Sequence, residues 1–297
     1  MKIVVAGGSG FLGGALVRVW RDDGHEVKIL TRRPRDADDV PWQPRSDDDA
    51  WTAALEGAGA VVNLAGEGLA DQPWTQARKA SILGSRVTST RALANAIRAC
   101  AAPPRVFLSA SGVGFYGTRG EELLTEESAP GTDFLAAVCQ AWEREATAAA
   151  PVTRVVLLRT GVVFARNGGA LPRMALPFRF FVGGRLGSGR QFLSWIHLDD
   201  YVGMVRWALS NDAVSGRLNV TSPAPLTNAQ FTSELAAAMR RPALFPVPSL
   251  ALRVLLGKEM ADTLLLEGQR AIPAKAQQRG YEFRFATAQS ALRDIFR

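Results

Sequence analysis

The stretch KIVVAGGSGFLG, residues 2–13, decides the fold. Residues 2–6 are an apolar run of strand length, and the glycine turn GGSGFLGG follows at once. Over residues 11–23 the apolar positions recur at helical spacing, with Leu12, Leu16, Val19 and Trp20 on one face and Gly24 as the stop. HEVKILTRR then alternates as a second strand ending near Thr31. Strand, glycine turn, helix and strand within about 30 residues make a βαβ unit.

Gly7, Gly10 and Gly13 stand between that strand and that helix. In such a turn the first glycine permits a tight bend, the second lets the backbone approach a pyrophosphate, and the third allows close helix–strand packing. The backbone amides of Ser9, Phe11 and Leu12 belong to the same anion-facing helix start. Among 28 glycines a triplet can arise by chance, so the flanking strand and helix are what give this one meaning. At the end of the second strand a carboxylate would bond the ribose of NAD. Thr31, Arg32 and Arg33 stand there instead, and a guanidinium pairs with a 2′-phosphate, so NADP(H) is the expected cofactor. The alternative is a solvated strand end. Leu64, Ala65 and Gly66 close a third strand over the same crevice, or else form a plain turn.

The alternation of strands and helices continues: a polar loop over 36–49, a short helix near 50–56, strands at 60–64, 105–111, 154–161 and 217–222, and helices over 74–100 and 133–149. The expected fold class is therefore α/β, a Rossmann doubly wound parallel sheet. Residues 165–195, rich in glycine and phenylalanine, read as irregular. With 226–297 they form a smaller, discontinuous C-terminal α/β lobe. The dinucleotide domain comprises 1–164, completed by about 196–225, and the cleft between lobes is the expected substrate site.

Composition narrows the setting. Two cysteines, Cys100 and Cys139, build no disulfide framework, and two histidines offer no metal site. No apolar stretch approaches the roughly 20 residues of a membrane span, and the apolar run before the glycine turn is too short for a secretory signal. A cytoplasmic protein with no membrane or nucleic-acid partner is expected. The formal charge of +7 reflects arginines, 30 of 35 basic residues, spread along the chain.

GGSGFLG, NLAG, SASGVGFYG and WIHLDD together resemble the extended short-chain dehydrogenase/reductase superfamily. WTQARKASILGSRVTST, DFLAAVCQAWE, GGRLGSGRQFLSWIHLDD and EGQRAIPAKAQQRGYEF are similar to its atypical epimerase family branch, over essentially the whole chain. The superfamily implies a Tyr-x-x-x-Lys pair on the helix after the fifth main strand, four residues ahead of a glutamate. Counting back from Glu143 puts Leu135 and Cys139 at those two positions, and neither can do that chemistry. The resemblance leaves Tyr116 as the candidate proton donor, or a structural tyrosine in its turn. Ser109 and Ser111 sit where relatives bond the substrate oxygen, Ser109 being expected beside the nicotinamide, or they cap a turn. Arg159, Arg190 and Gln191 flank the inferred cleft as candidates for an anionic substrate, while His197 and Asp200 read as structural. Two functions stay open: an NADP(H)-dependent oxidoreductase or epimerase acting on a small molecule, or a non-catalytic NADP(H)-binding sensor or assembly protein.

Overall fold

Strand β1 (Lys2–Ala6) is buried from Ile3 to Ala6 and lies at the centre of a parallel sheet. The other strands are β2 (Glu26–Thr31), β3 (Asp39–Pro41), β4 (Ala60–Asn63), β5 (Val106–Gly112), β6 (Arg154–Thr160) and β7 (Gly216–Val220). In this computed structural model, which describes residues 1–45 and 49–297, the order is β3-β2-β1-β4-β5-β6-β7. Every pairing in it is parallel. Parallel strands are covered on both faces, which is why VVA, AVV and VVLL read as unbroken apolar runs rather than alternating ones. Part of the polar loop expected over 36–49, residues 46–48, lies outside the described residues.

The helices divide between the two faces. Helix α1 (Phe11–Asp22) sets Leu16 and Trp20 against one side of the sheet, beside Tyr201 and Val205 of a later helix, Leu198–Ser210. Helices α2 (Gln76–Ala99) and α3 (Phe134–Thr147) cover the other side, where Leu93, Ile97 and Ala146 meet Val61, Phe107 and Val155. Thr75 and Asp133 start these two helices, each side-chain oxygen accepting the amide three residues on.

Residues 165–195 are less irregular than their composition implies: they contain a helix, Leu171–Arg179. Pro172 sits in its first turn, where no amide partner is lost, so proline there marks a start and not a break. Leu171, Ala175 and Phe178 of this helix share a core with Phe231, Leu235, Leu292 and Ile295 from the C-terminal region. Trp195 stacks on Phe164 within that core, centroids 5.0 Å apart. Asp200 ties the two regions, its carboxylate accepting the amides of Arg284 and Phe285, each at 2.8 Å. His197 Nδ1 accepts the amide of Asp199 at the start of the same helix. Both residues are structural here, as expected.

Candidate functional site

The strand order reverses between β1 and β4, the place where open α/β sheets leave a crevice at the carboxyl ends of their strands. Gly7 turns the chain there at φ +82°, and a β-carbon on it would lie 2.8 Å from the carbonyl carbon of Leu64. At Gly13 a β-carbon would lie 2.2 Å from the oxygen of Gly7, so only glycine lets α1 start this close to the turn. Gly10 precedes α1 without a side-chain cap, which leaves the first amides of the helix to meet an anion. Ser9 is exposed, Phe11 and Leu12 are half-buried, and Gly168 and Gly169 pack over the Phe11 ring. Leu64 and Ala65 face the crevice from the β4 side, with Gly66 exposed beyond them.

β2 ends at Thr31, whose hydroxyl accepts the amide of Arg33. Arg32 and Arg33 are exposed and, among the described residues, carry no ion pair. The glycine turn, Leu64 and Ala65 meet at the carboxyl ends of β1 and β4, and Arg32 and Arg33 follow the end of the neighbouring strand β2. The residues fit a dinucleotide: a cradle that a β-carbon would fill, uncapped helix amides and two exposed arginines, without an ion pair among the described residues, just past the end of β2.

Beside it the structure corrects several expectations. Tyr116 is fully buried: its hydroxyl donates to Asn219 Oδ1 at 2.6 Å and accepts from Arg159 Nη1 at 3.1 Å. Burial pushes its pKa up to about 12, so it offers a substrate neither access nor an easy proton. Ser109 does not end its strand, because β5 runs on to Gly112. It is fully buried, and its hydroxyl has no partner among the described residues. Ser111 donates to Glu143 Oε1 at 2.8 Å.

Arg159 is not a substrate anchor. It is wholly buried, paired with both oxygens of Glu143 at 2.7 and 2.8 Å, and its guanidinium lies 3.4 Å from the Phe115 ring centroid. Gln191 donates to the carbonyls of Leu186 and Leu265, and exposed Arg190 lies 3.4 Å from Glu121. At the two departing positions, Leu135 packs against Gly114, where an added β-carbon would meet it at 3.3 Å. The Cys139 thiol is pushed up to about 11, by burial first and Glu143 second, and stays protonated.

One cluster escaped the sequence reading. Glu67 follows β4 and is held by Arg78 and by the Ser81 hydroxyl, which donates to its carboxylate at 2.9 Å. Next on the same face of α2, Arg86 is buried and donates only to carbonyls, Glu67 O at 2.9 Å and Ile82 O at 3.1 Å. Its guanidinium stands over the Trp142 ring, beside Gly66. Burial pulls its own pKa down. The signal was the spacing 78, 81, 85, 86, one helix face carrying Arg, Ser, Ser and Arg.

Fold and crevice together define a Rossmann-type α/β protein whose usual tyrosine and lysine positions hold leucine and cysteine. The chain belongs to the NAD dependent epimerase/dehydratase family, whose model matches residues 3–221, and residues 247–295 match a domain of unknown function. It is 41% identical to the epimerase family protein ML0860 of Mycobacterium leprae, over 98% of this chain and 94% of that one. The crystal structure of human epimerase family protein SDR39U1 with NADPH superposes with a TM-score of 0.93 at 36% identity, covering 100% of this chain and 99% of that one. A nucleoside-diphosphate sugar epimerase from Corynebacterium glutamicum gives 0.82 at 32% identity, covering 100% of this chain and 58% of that one.

Proposed function

We propose that this chain binds NADP(H) and acts as an oxidoreductase or epimerase on a small anionic molecule, without the usual tyrosine and lysine. The observation that carries the reading is the glycine cradle opposite Leu64, with Arg32 and Arg33 exposed just past the end of β2 and in no ion pair among the described residues. The crystallised human relative, which carries NADPH, supports it. The sheet domain, 1–164 completed by 196–225, is the cofactor half. Residues 165–195 and 226–297 supply the substrate half.

Gly7, Ser9, Gly10, Phe11, Leu12 and Gly13 hold the pyrophosphate on backbone amides, Thr31, Arg32 and Arg33 hold the 2′-phosphoribose, and Leu64, Ala65 and Gly66 line the opposite wall. When bound, the nicotinamide supplies hydride transfer. Arg86 brings a guanidinium next to the vacant lysine position. With no carboxylate partner among the described residues, it is suited to a substrate anion or a developing oxyanion. Glu67 and Ser81, both half-exposed, provide a hydrogen-bonded pair through which a proton can be exchanged at Ser81 Oγ.

Calorimetric titration tests the cofactor reading. Wild type is expected to prefer NADPH over NADH, and Arg32→Asp with Arg33→Ser to lose about 10- to 100-fold in NADPH affinity, the equivalent of two charge-assisted contacts. Unchanged NADPH affinity in that variant would refute the arginine assignment. The second reading, a non-catalytic sensor, draws on the closure of Tyr116 and Ser109 and the inert Cys139. Incubating NADPH-loaded protein with a panel of small carbonyl acids separates the two. Net oxidation of bound NADPH, or epimerisation of a panel member without net oxidation, that Arg86→Leu abolishes supports the enzyme, and neither across the panel supports the sensor.

A further inference from the structure

The positive charge of this protein is not spread evenly once the fold is known. Residues 171–190 and 240–258 contain eight basic residues and no acidic one, whereas the rest of the chain has 27 basic against 28 acidic. The formal +7 therefore rests on two segments, and the fold brings them together. Phe245 N donates to Gly183 O at 3.1 Å and Val247 N to Arg185 O at 2.8 Å, so the two run side by side. Arg241 crosses between them, its guanidinium 4.6 Å from the Phe181 ring centroid.

This same face displays apolar side chains that a folded domain ordinarily hides. Phe180, Phe181 and Val182 form a turn that is 51–69% exposed, with Phe181 held at φ +62°, a conformation unfavourable for a bulky residue. Leu244 and Phe245, on the adjoining run, are 73% and 55% exposed. Helix Ser249–Leu256 leads straight on and buries only Leu252, while Leu250, Val254 and Leu255 stand 70–79% exposed. Single exposed apolar residues are ordinary, but a contiguous group of this size marks a surface that meets something.

We infer that this face, the 180–182 turn, residues 244–245 and helix Ser249–Leu256, docks peripherally on an anionic lipid bilayer. Among the described residues Arg179, Arg185, Arg240 and Arg241 form no ion pair; they flank the exposed apolar runs in the sequence, and Arg241 lies against the Phe181 ring. That mixture suits a headgroup boundary, where apolar tips enter the acyl edge and guanidiniums reach the phosphates. A two-fold contact with a second copy would set this patch against itself, and neither segment holds a carboxylate to pair with the facing arginines. No helix among the described residues is long and apolar enough to cross a membrane, so the contact is made from one side.

The test is sedimentation of the full-length protein with phosphatidylcholine vesicles, with and without about one third phosphatidylglycerol. The protein is expected to pellet with the anionic vesicles and to be released by salt. Val254→Asp with Leu255→Asp should weaken partitioning by at least about 10-fold, as loss of two apolar insertions requires. Arg179→Gln and Arg240→Gln should weaken it about five-fold each, as ~1 kcal/mol per basic residue converts. Unchanged circular dichroism and NADPH titration verify that the variants are folded. Three results would each overturn the proposal: no pelleting with anionic vesicles, pelleting that the Asp variants leave intact, or a dimer in analytical ultracentrifugation that Val254→Asp dissolves while vesicles never bind.

Discussion

Glutamate in place of Gly10 is expected to abolish measurable NADPH binding while the protein stays folded. Gly10 is exposed and its φ is −80°, so the backbone accepts a side chain, and the nearest atom to an added β-carbon, Gly7 O, is 3.3 Å away. The damage is electrostatic and steric at one spot: a carboxylate and its stem stand before the uncapped amides of α1, where the diphosphate must come. A loss of at least ~100-fold in affinity corresponds to about 2.7 kcal/mol, which a repelling charge and a displaced pyrophosphate readily supply. Isothermal titration with NADPH checks it, with thermal unfolding of the free protein as the control. Retained affinity would show that the glycine turn grips no diphosphate.

Removing the Arg159 side chain is expected to produce the largest stability loss of any single substitution considered for this protein. In Arg159→Ala the Glu143 carboxylate loses both guanidinium bonds inside the molecule, and Tyr116 loses the donor to its hydroxyl. Stripping one partner from a buried ion pair costs about 3–5 kcal/mol. Tyr116→Phe, which deletes only hydrogen bonds at the edge of the same network, should cost about 1–3 kcal/mol. Arg159→Met combined with Glu143→Met should recover most of the loss, because a well-packed apolar pair replaces the ion pair. Urea denaturation of the four proteins measures all of this. A double variant no more stable than Arg159→Ala would show that the stacking on Phe115, not the ion pair, holds this region.

The glycine turn, the following helix and the end of β2 at Thr31 were legible because short-range geometry governs them: a positive φ, a close approach and a helix stop each demand particular residues nearby. The departures at Leu135 and Cys139 were legible too, since position on a helix follows from counting. Tyr116 and Ser109 were misjudged. A tyrosine in a turn and a serine near a strand end look accessible, yet β5 extends to Gly112, and Arg159 and Asn219, 43 and 103 residues further on, enclose the hydroxyl. The helix Leu171–Arg179 was hidden by its prolines, and the Glu67–Ser81–Arg86 cluster by the separation of β4 from α2.

By itself, then, the amino-acid order determined the doubly wound architecture, the glycine turn after β1 and the arginines just past the end of β2, because period, turn chemistry and capping act over a few residues. Only the tertiary structure decided which polar side chains reach the crevice and which are walled in, and only it gathered residues 171–190 and 240–258 into one cationic, apolar face. Burial and charge are set by neighbours distant in the chain. No local pattern reports what will be folded against a given side chain, or what will be left bare.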